Sequence, residues 1–172
     1  MWRTSQNAVK AKFAERLSDA LGRKDRRGSS RFHRRVVYLG PMGGTEGVRV
    51  MLVEDHAAFR QAIAFLLSGE PDLEVVAQAG SVAEARQALW SGALEGGLDV
   101  AVIDIGLPDG DGRDLIGELR RRHAEVSVLV LSATVEAAGL EEAMRAGADA
   151  VLEKVEASQA IANEVRRLAA GG

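Results

Sequence analysis

The stretch "DVAVIDIGLPDGDG", Asp99 to Gly112, decides how the chain is to be read. Val100 to Ile103 form a short, unbroken apolar run that ends on a carboxylate, Asp104. Such a run suits a strand covered on both faces. A Gly, a Pro and two Asp-Gly pairs then predict a loop, and Leu115, Ile116 and Leu119 mark one face of a helix. Strand, loop and helix recur on both sides. "VRVMLV" (48–53) is followed by a helix marked by Phe59, Ile63, Leu66 and Leu67. "LEVVAQA" (73–79) has the milder apolar content of a sheet edge; Ser81 and Glu84 then make a capping box. Val82, Ala85 and Leu89 face inward from the helix so opened. "VSVLVL" (126–131) precedes a helix running through Leu140 and Met144 to Gly147, and "AVLE" (150–153) precedes one marked by Ile161, Val165 and Leu168. Five strands alternating with five helices predict a doubly wound parallel α/β sheet. The expected strand order is 2-1-3-4-5, with its switch point between strands one and three.

Charge divides the chain. Residues 1–47 hold 11 Lys and Arg against 4 Asp and Glu, a net of +7; residues 48–172 hold 11 against 21, a net of −10. A basic N-terminal extension (1–47) is thus joined to an acidic domain (48–172). Within the extension, Val9, Phe13, Leu17 and Leu21 recur every four residues before Gly22 and predict a short amphipathic helix. Residues 23–35, "RKDRRGSSRFHRR", bury too little to order themselves, and "GPMGGTEG" (40–47) reads as a linker. Met42 stands close enough to the first strand to serve as a translation start. The chain contains no Cys, which excludes disulfides, thiol catalysis and Cys-based zinc sites. No apolar run reaches the length of a membrane span and the N-terminus has no signal-peptide core, so a cytoplasmic protein is expected.

In an open α/β sheet, ligands bind beyond the carboxyl ends of the strands. Glu54 and Asp55 end strand one, Asp104 strand three, Ser132 strand four, and Glu153 and Lys154 strand five. Singly, each has a plainer role. Asp55 or Ser132 could cap a helix, Asp104 could belong to a turn, and Lys154 could be an exposed edge charge. Together, the order of elements brings them to one mouth. Three clustered carboxylates repel one another, so one stays protonated unless a cation neutralises the group. All-oxygen ligands with few protein donors suit Mg²⁺. A metal-neutralised carboxylate beside an ammonium is set up to receive a phosphoryl group. Gly106 lets backbone approach the metal.

These motifs resemble the receiver domain of bacterial two-component response regulators, from about Val48 to Leu168. "LVEDH", "DIGLPDGDG", "LSA" and "GADAVLEK" match the family in order and spacing. The resemblance implies a flavodoxin-like (βα)5 fold, with Asp104 as phospho-acceptor. It implies that Asp55 and the Gly106 carbonyl ligate Mg²⁺ beside Asp104, with Glu54 acting through water. Ser132 is then the hydroxyl that bonds the phosphoryl group, and Lys154 pairs with it. Two positions depart from the family: Val151 stands where Tyr or Phe is usual, and Val155 where Pro is frequent. "VEDHAAFRQAI" and "LEVVAQAGS" resemble receivers of the LuxR-type subgroup, yet no residues remain after the fifth helix for a helix-turn-helix module.

The resemblance therefore implies a single-domain response regulator rather than a metabolic enzyme. Its partners would be a histidine kinase or phosphotransfer protein and an unidentified output protein. A phosphorylation-dependent homodimer is among the assemblies it allows, and the receiver itself is not expected to bind nucleic acid. Three rivals are a nucleic-acid or membrane-surface binder acting through the basic arm, a phosphorylation-independent adaptor, and a small-molecule phosphatase. The last needs an Asp where Gly106 stands. His56 reads as a solvated first-turn residue and Arg120 to Arg122 as a solvated helix end. His33 and His123 lack metal-ligand spacing, and no phosphate-binding glycine loop of the GxGxxG or GxxxxGK kind is present.

Overall fold

A computed structural model describes residues 47–91, 94, 96–133 and 136–171. The amphipathic pattern from Val9 to Leu21, the basic run 23–35 and Met42 lie outside the described residues.

Five strands form one parallel sheet: β1 (Val48–Val53), β2 (Leu73–Ala79), β3 (Val100–Asp104), β4 (Ser127–Ser132) and β5 (Ala150–Glu153), in the order β2-β1-β3-β4-β5. This is the expected order. Val50 pairs with Val100, Asp104 with Leu131, and Ser132 with Glu153, so the strand ends come level along one rim. Side chains alternate across the sheet, as a period of two requires. Val50, Leu52, Val100, Val102, Leu129 and Leu131 face α1 (Ala57–Ser68) and α5 (Ala157–Ala169). Met51, Val53, Ala101, Ile103, Val128 and Val130 face the other side. There α2 (Val82–Trp90) and α3 (Gly112–Arg122) bury Val82, Ala85, Leu89, Leu115, Ile116 and Leu119. Sheet side chains at these central positions are inaccessible to water. Each large one contributes on the order of 1.5–3 kcal/mol by leaving water.

Helix α4 (Ala137–Ala146) packs differently from what its apolar residues suggest. Leu140 and Met144 are 39% and 46% exposed, while Ala143 is buried against the sheet. Small residues bring α4 close and turn its larger apolar side chains outward. Gly147 ends the helix at φ +107°, a left-handed conformation that favours glycine.

The end of α3 is not a solvated run of charge. Arg120 Nε donates to the Gly147 carbonyl at 2.8 Å, its Nη1 donates to the Val126 carbonyl at 2.6 Å, and the guanidinium also pairs with Asp149. The Asp149 carboxylate in turn accepts the Val128 N–H at 2.6 Å. One side chain thus joins the ends of α3 and α4 to the start of β4. Arg121 and Arg122 are exposed as expected, although Arg122 lies 4.6 Å over the Trp90 ring. The loop after β3 holds a small antiparallel hairpin, Gly106–Leu107 with Gly110–Asp111.

Candidate functional site

Glu54, Asp55 and Asp104 converge as the strand ends predict: each offers a carboxylate oxygen, and these oxygens lie within 4.8 Å of one another. Strand β1 carries Glu54 and Asp55 past its end, and β3 carries Asp104 as its last residue. Glu54 and Asp104 are buried, whereas Asp55 is exposed at the mouth. Asp55 does not cap α1. His56 does, its Nδ1 accepting the Phe59 N–H at 3.2 Å. The expectation of a merely solvated His56 is thereby corrected.

Lys154 is not an exposed edge charge. It is fully buried, with Nζ 2.6 Å from Asp104 Oδ2 and 2.7 Å from Glu54 Oε2. The ammonium also lies 5.4 Å from the centroid of the Phe59 ring, within reach of its electron-rich face. Its backbone N–H donates to the Ser132 carbonyl at 2.8 Å, which holds the ends of β4 and β5 together. Ser132 itself is half-buried at the end of β4. Gly106 donates its N–H to Asp104 Oδ1 at 3.1 Å, and the His56 N–H donates to Glu54 Oε1 at 3.0 Å. Arg60 of α1 donates a guanidinium N–H to the Glu54 carbonyl.

With the carboxylates ionised and Lys154 protonated, the cluster carries a net charge of −2. An excess of that size, part of it on the buried Glu54, Asp104 and Lys154, calls for a counter-charge. The exposed Asp55, the all-oxygen donor set and the glycine backbone at Gly106 fit a hard divalent cation that keeps part of its water shell.

Two further groups shape the mouth, and sequence reasoning missed both. Asp109 accepts the N–H groups of Val82 and Ala83 at 2.8 and 2.9 Å, capping α2 from across the loop. The bonds from Ala83 and Val82 hold the Asp109 carboxyl below the usual carboxylate range. Its stabilising share is complete at neutral pH and is lost only as pH falls through that lowered value. The expected capping box is also altered. Ser81 Oγ accepts the Glu84 N–H at 3.1 Å, but the Glu84 carboxylate accepts from Gly80 rather than from Ser81. Asp111 caps α3 by accepting the Arg113 N–H at 2.9 Å, and the Arg113 side chain reaches on to Glu142 of α4.

The chain matches the family model of the response regulator receiver domain over residues 50–166. It is 36% identical over 124 residues to the DNA-binding transcriptional activator DevR/DosR of Mycobacterium tuberculosis, a match covering 72% of this chain and 55% of that protein. It is 37% identical over 125 residues to the transcriptional regulatory protein UhpA of Salmonella typhimurium, covering 73% and 60%. Among solved structures, the signal receiver domain of NarL from Mycobacterium tuberculosis has a TM-score of 0.67 at 31% identity, covering 74% of this chain and all of that one. The response regulator domain of Thermotoga maritima CheB has a TM-score of 0.62 at 24% identity and shows the shared fold. The chain spans 55–60% of the length of these two curated relatives. No helix among the described residues is long and apolar enough to cross a membrane.

Proposed function

The chain belongs to the response regulator receiver domain family, and from that premise we propose that Asp104 accepts a phosphoryl group from the phosphohistidine of a histidine kinase or phosphotransfer protein. The observation that carries this reading is the buried Lys154 ammonium, 2.6 Å from Asp104, inside a cluster of three carboxylates. An oxygen of Asp104 attacks phosphorus as the P–N bond of the donor breaks, and the departing imidazole keeps the bond's electron pair. Asp104 becomes an acyl phosphate. Lys154 is placed to offset charge on the phosphoryl oxygens, and Ser132 to donate a hydrogen bond to one of them. Mg²⁺ held by Asp55, Asp104 and the Gly106 carbonyl, with Glu54 acting through water, would screen the carboxylates from the incoming phosphoryl group. The modified site then biases a surface that a partner reads. The exposed Leu140 and Met144 support α4 as part of that surface, with β5 and α5 beside it.

The test is incubation with a small-molecule phosphodonor and Mg²⁺, followed by peptide mapping. A hydroxylamine-labile phosphoryl adduct on Asp104 is expected, and the Asp104→Asn protein should carry none. Absence of any adduct, or equal labelling of the variant, overturns the reading.

Val151 places a second expectation on the same site. It is half-buried and packs on the α2–α4 side of the sheet. Its β-branched side chain has little χ1 freedom and no ring to swing between buried and exposed positions. The response must then rest on Ser132 and the loop after β4. Hydrogen bonds to charged groups contribute about 1.5–3 kcal/mol, so Ser132→Ala should weaken the response of α4 roughly tenfold or more. Val151→Ala should cost about 1 kcal/mol of stability and leave the response in place. Amide chemical shifts of α4, followed on adding beryllium fluoride with Mg²⁺, measure both. A response that survives the serine change and disappears with the valine change would refute this route.

A further inference from the structure

Asp109 is not one of the clustered carboxylates, yet it joins two walls of the mouth. Helix α2 begins with N–H groups that have no partner within the helix. Ser81 takes the one from Glu84, and Asp109 takes those of Val82 and Ala83. A carboxylate has the favourable sign at a helix N-terminus. This one comes from 26 and 27 residues further along the chain, so it acts as a tertiary strap as well as a cap.

The strap closes a ring of contacts around the site. On the α2 side, the Glu54 N–H donates to the Ala79 carbonyl at 2.9 Å, three residues before Val82. On the loop side, Asp109 sits in the small hairpin where Gly106 pairs with Asp111, and Gly106 donates to Asp104. Lys154 completes the ring by bonding both Asp104 and Glu54. The fit is close as well: a Cβ at Gly110 would stand 3.3 Å from Val82 Cγ2.

We propose that Asp109 is a positioning residue for the metal and phosphoryl site, holding the loop after β3 against α2 so that Asp104 and the Gly106 backbone keep their spacing from Glu54 and Asp55. This rests on the reading of the site given above. Partners that orient metal ligands from outside typically govern metal affinity by 10–100-fold. A residue that merely capped α2 would change stability alone.

The experiment compares Asp109→Ala, Asp109→Asn and Ser81→Ala in the full chain, by thermal melting and by calorimetric titration with Mg²⁺ without phosphodonor. Ser81→Ala and Asp109→Ala both remove a cap of α2 and should lower the melting temperature to a similar degree. Only Asp109→Ala should weaken Mg²⁺ binding, by about tenfold. Asp109→Asn keeps an acceptor oxygen and should fall between that variant and the wild type. Amide hydrogen exchange at Gly106 and Leu107 should quicken in the Asp109 variants and not in Ser81→Ala. Wild-type affinity in Asp109→Ala, or an equal loss in Ser81→Ala, overturns this proposal alone. If the wild-type protein binds no Mg²⁺, the reading of the site falls and this proposal falls with it.

Discussion

The Lys154→Met protein is expected to lose about 3–5 kcal/mol of stability in the absence of divalent cations, the usual cost of removing one partner from a buried ion pair. Methionine keeps the length and most of the apolar stem of the side chain, so the change removes charge rather than volume. Glu54 and Asp104 are both buried, and the Lys154 ammonium lies within 2.7 Å of each. Their repulsion would then act in a medium that screens it poorly. Mg²⁺ should restore part of the loss, because a cation that binds the folded state alone stabilises it by about 2.7 kcal/mol at a concentration 100-fold above its Kd. Urea denaturation of both proteins, with and without Mg²⁺, measures the effect. The gain on adding Mg²⁺ should be larger in the variant than in the wild type. Wild-type stability in the variant without Mg²⁺ would show that the ammonium does not balance these carboxylates. The variant should also be slow to accept phosphate, since the charge nearest Asp104 is gone.

The convergence of Glu54, Asp55, Asp104 and Lys154 was legible because it depends on order more than on detail. Near-continuous Val, Ile and Leu runs identify the central strands, and once the strands are parallel every residue just past a strand end meets at one rim. The contacts that fix the rim were not legible. Asp109 reads as an ordinary turn residue, and nothing nearby in sequence marks Val82 and Ala83 as its partners. His56 caps α1, although His is not among the strong capping types. Arg120 reads as surface charge because three arginines in a row carry no sign of which one turns inward. In α4 the apolar residues alone do not say which of them turns inward: close packing on the sheet selects Ala143, and the larger Leu140 and Met144 are left facing water. Burial of Lys154 was missed for a related reason. Its position at the end of an edge strand suggests exposure, and only the three-dimensional placement of Glu54, Asp104 and Phe59 makes burial tolerable.

Two glycines of α3 should respond in opposite directions to the same substitution. Gly112→Ala is expected to destabilise the fold by about 3 kcal/mol, the upper end of ordinary overpacking, and Gly117→Ala to stabilise it by about 0.5–1 kcal/mol. Helix propensity alone predicts a gain at both. The surroundings decide the sign. A Cβ on Gly117 would meet only Arg121 Nη1, at 3.5 Å, an ordinary contact with a flexible side chain. A Cβ on Gly112 would lie 2.2 Å from the Asp104 carbonyl oxygen and 3.1 Å from both the Asp104 carbonyl carbon and Ile103 Cγ2. Gly112 is not among the positive-φ glycines, so the requirement is for space and not for an unusual backbone conformation. Backbone must move to admit the methyl group, and the backbone in question carries Asp104. The Gly112→Ala protein should therefore also accept phosphate more slowly, because the carboxylate is displaced from Lys154 and from the other carboxylates. Paired denaturation curves of the two variants, with labelling rates from the same small-molecule donor, test the argument. A neutral or stabilising Gly112→Ala would mean that α3 can draw back from β3, and that the position of Asp104 is not set by this contact.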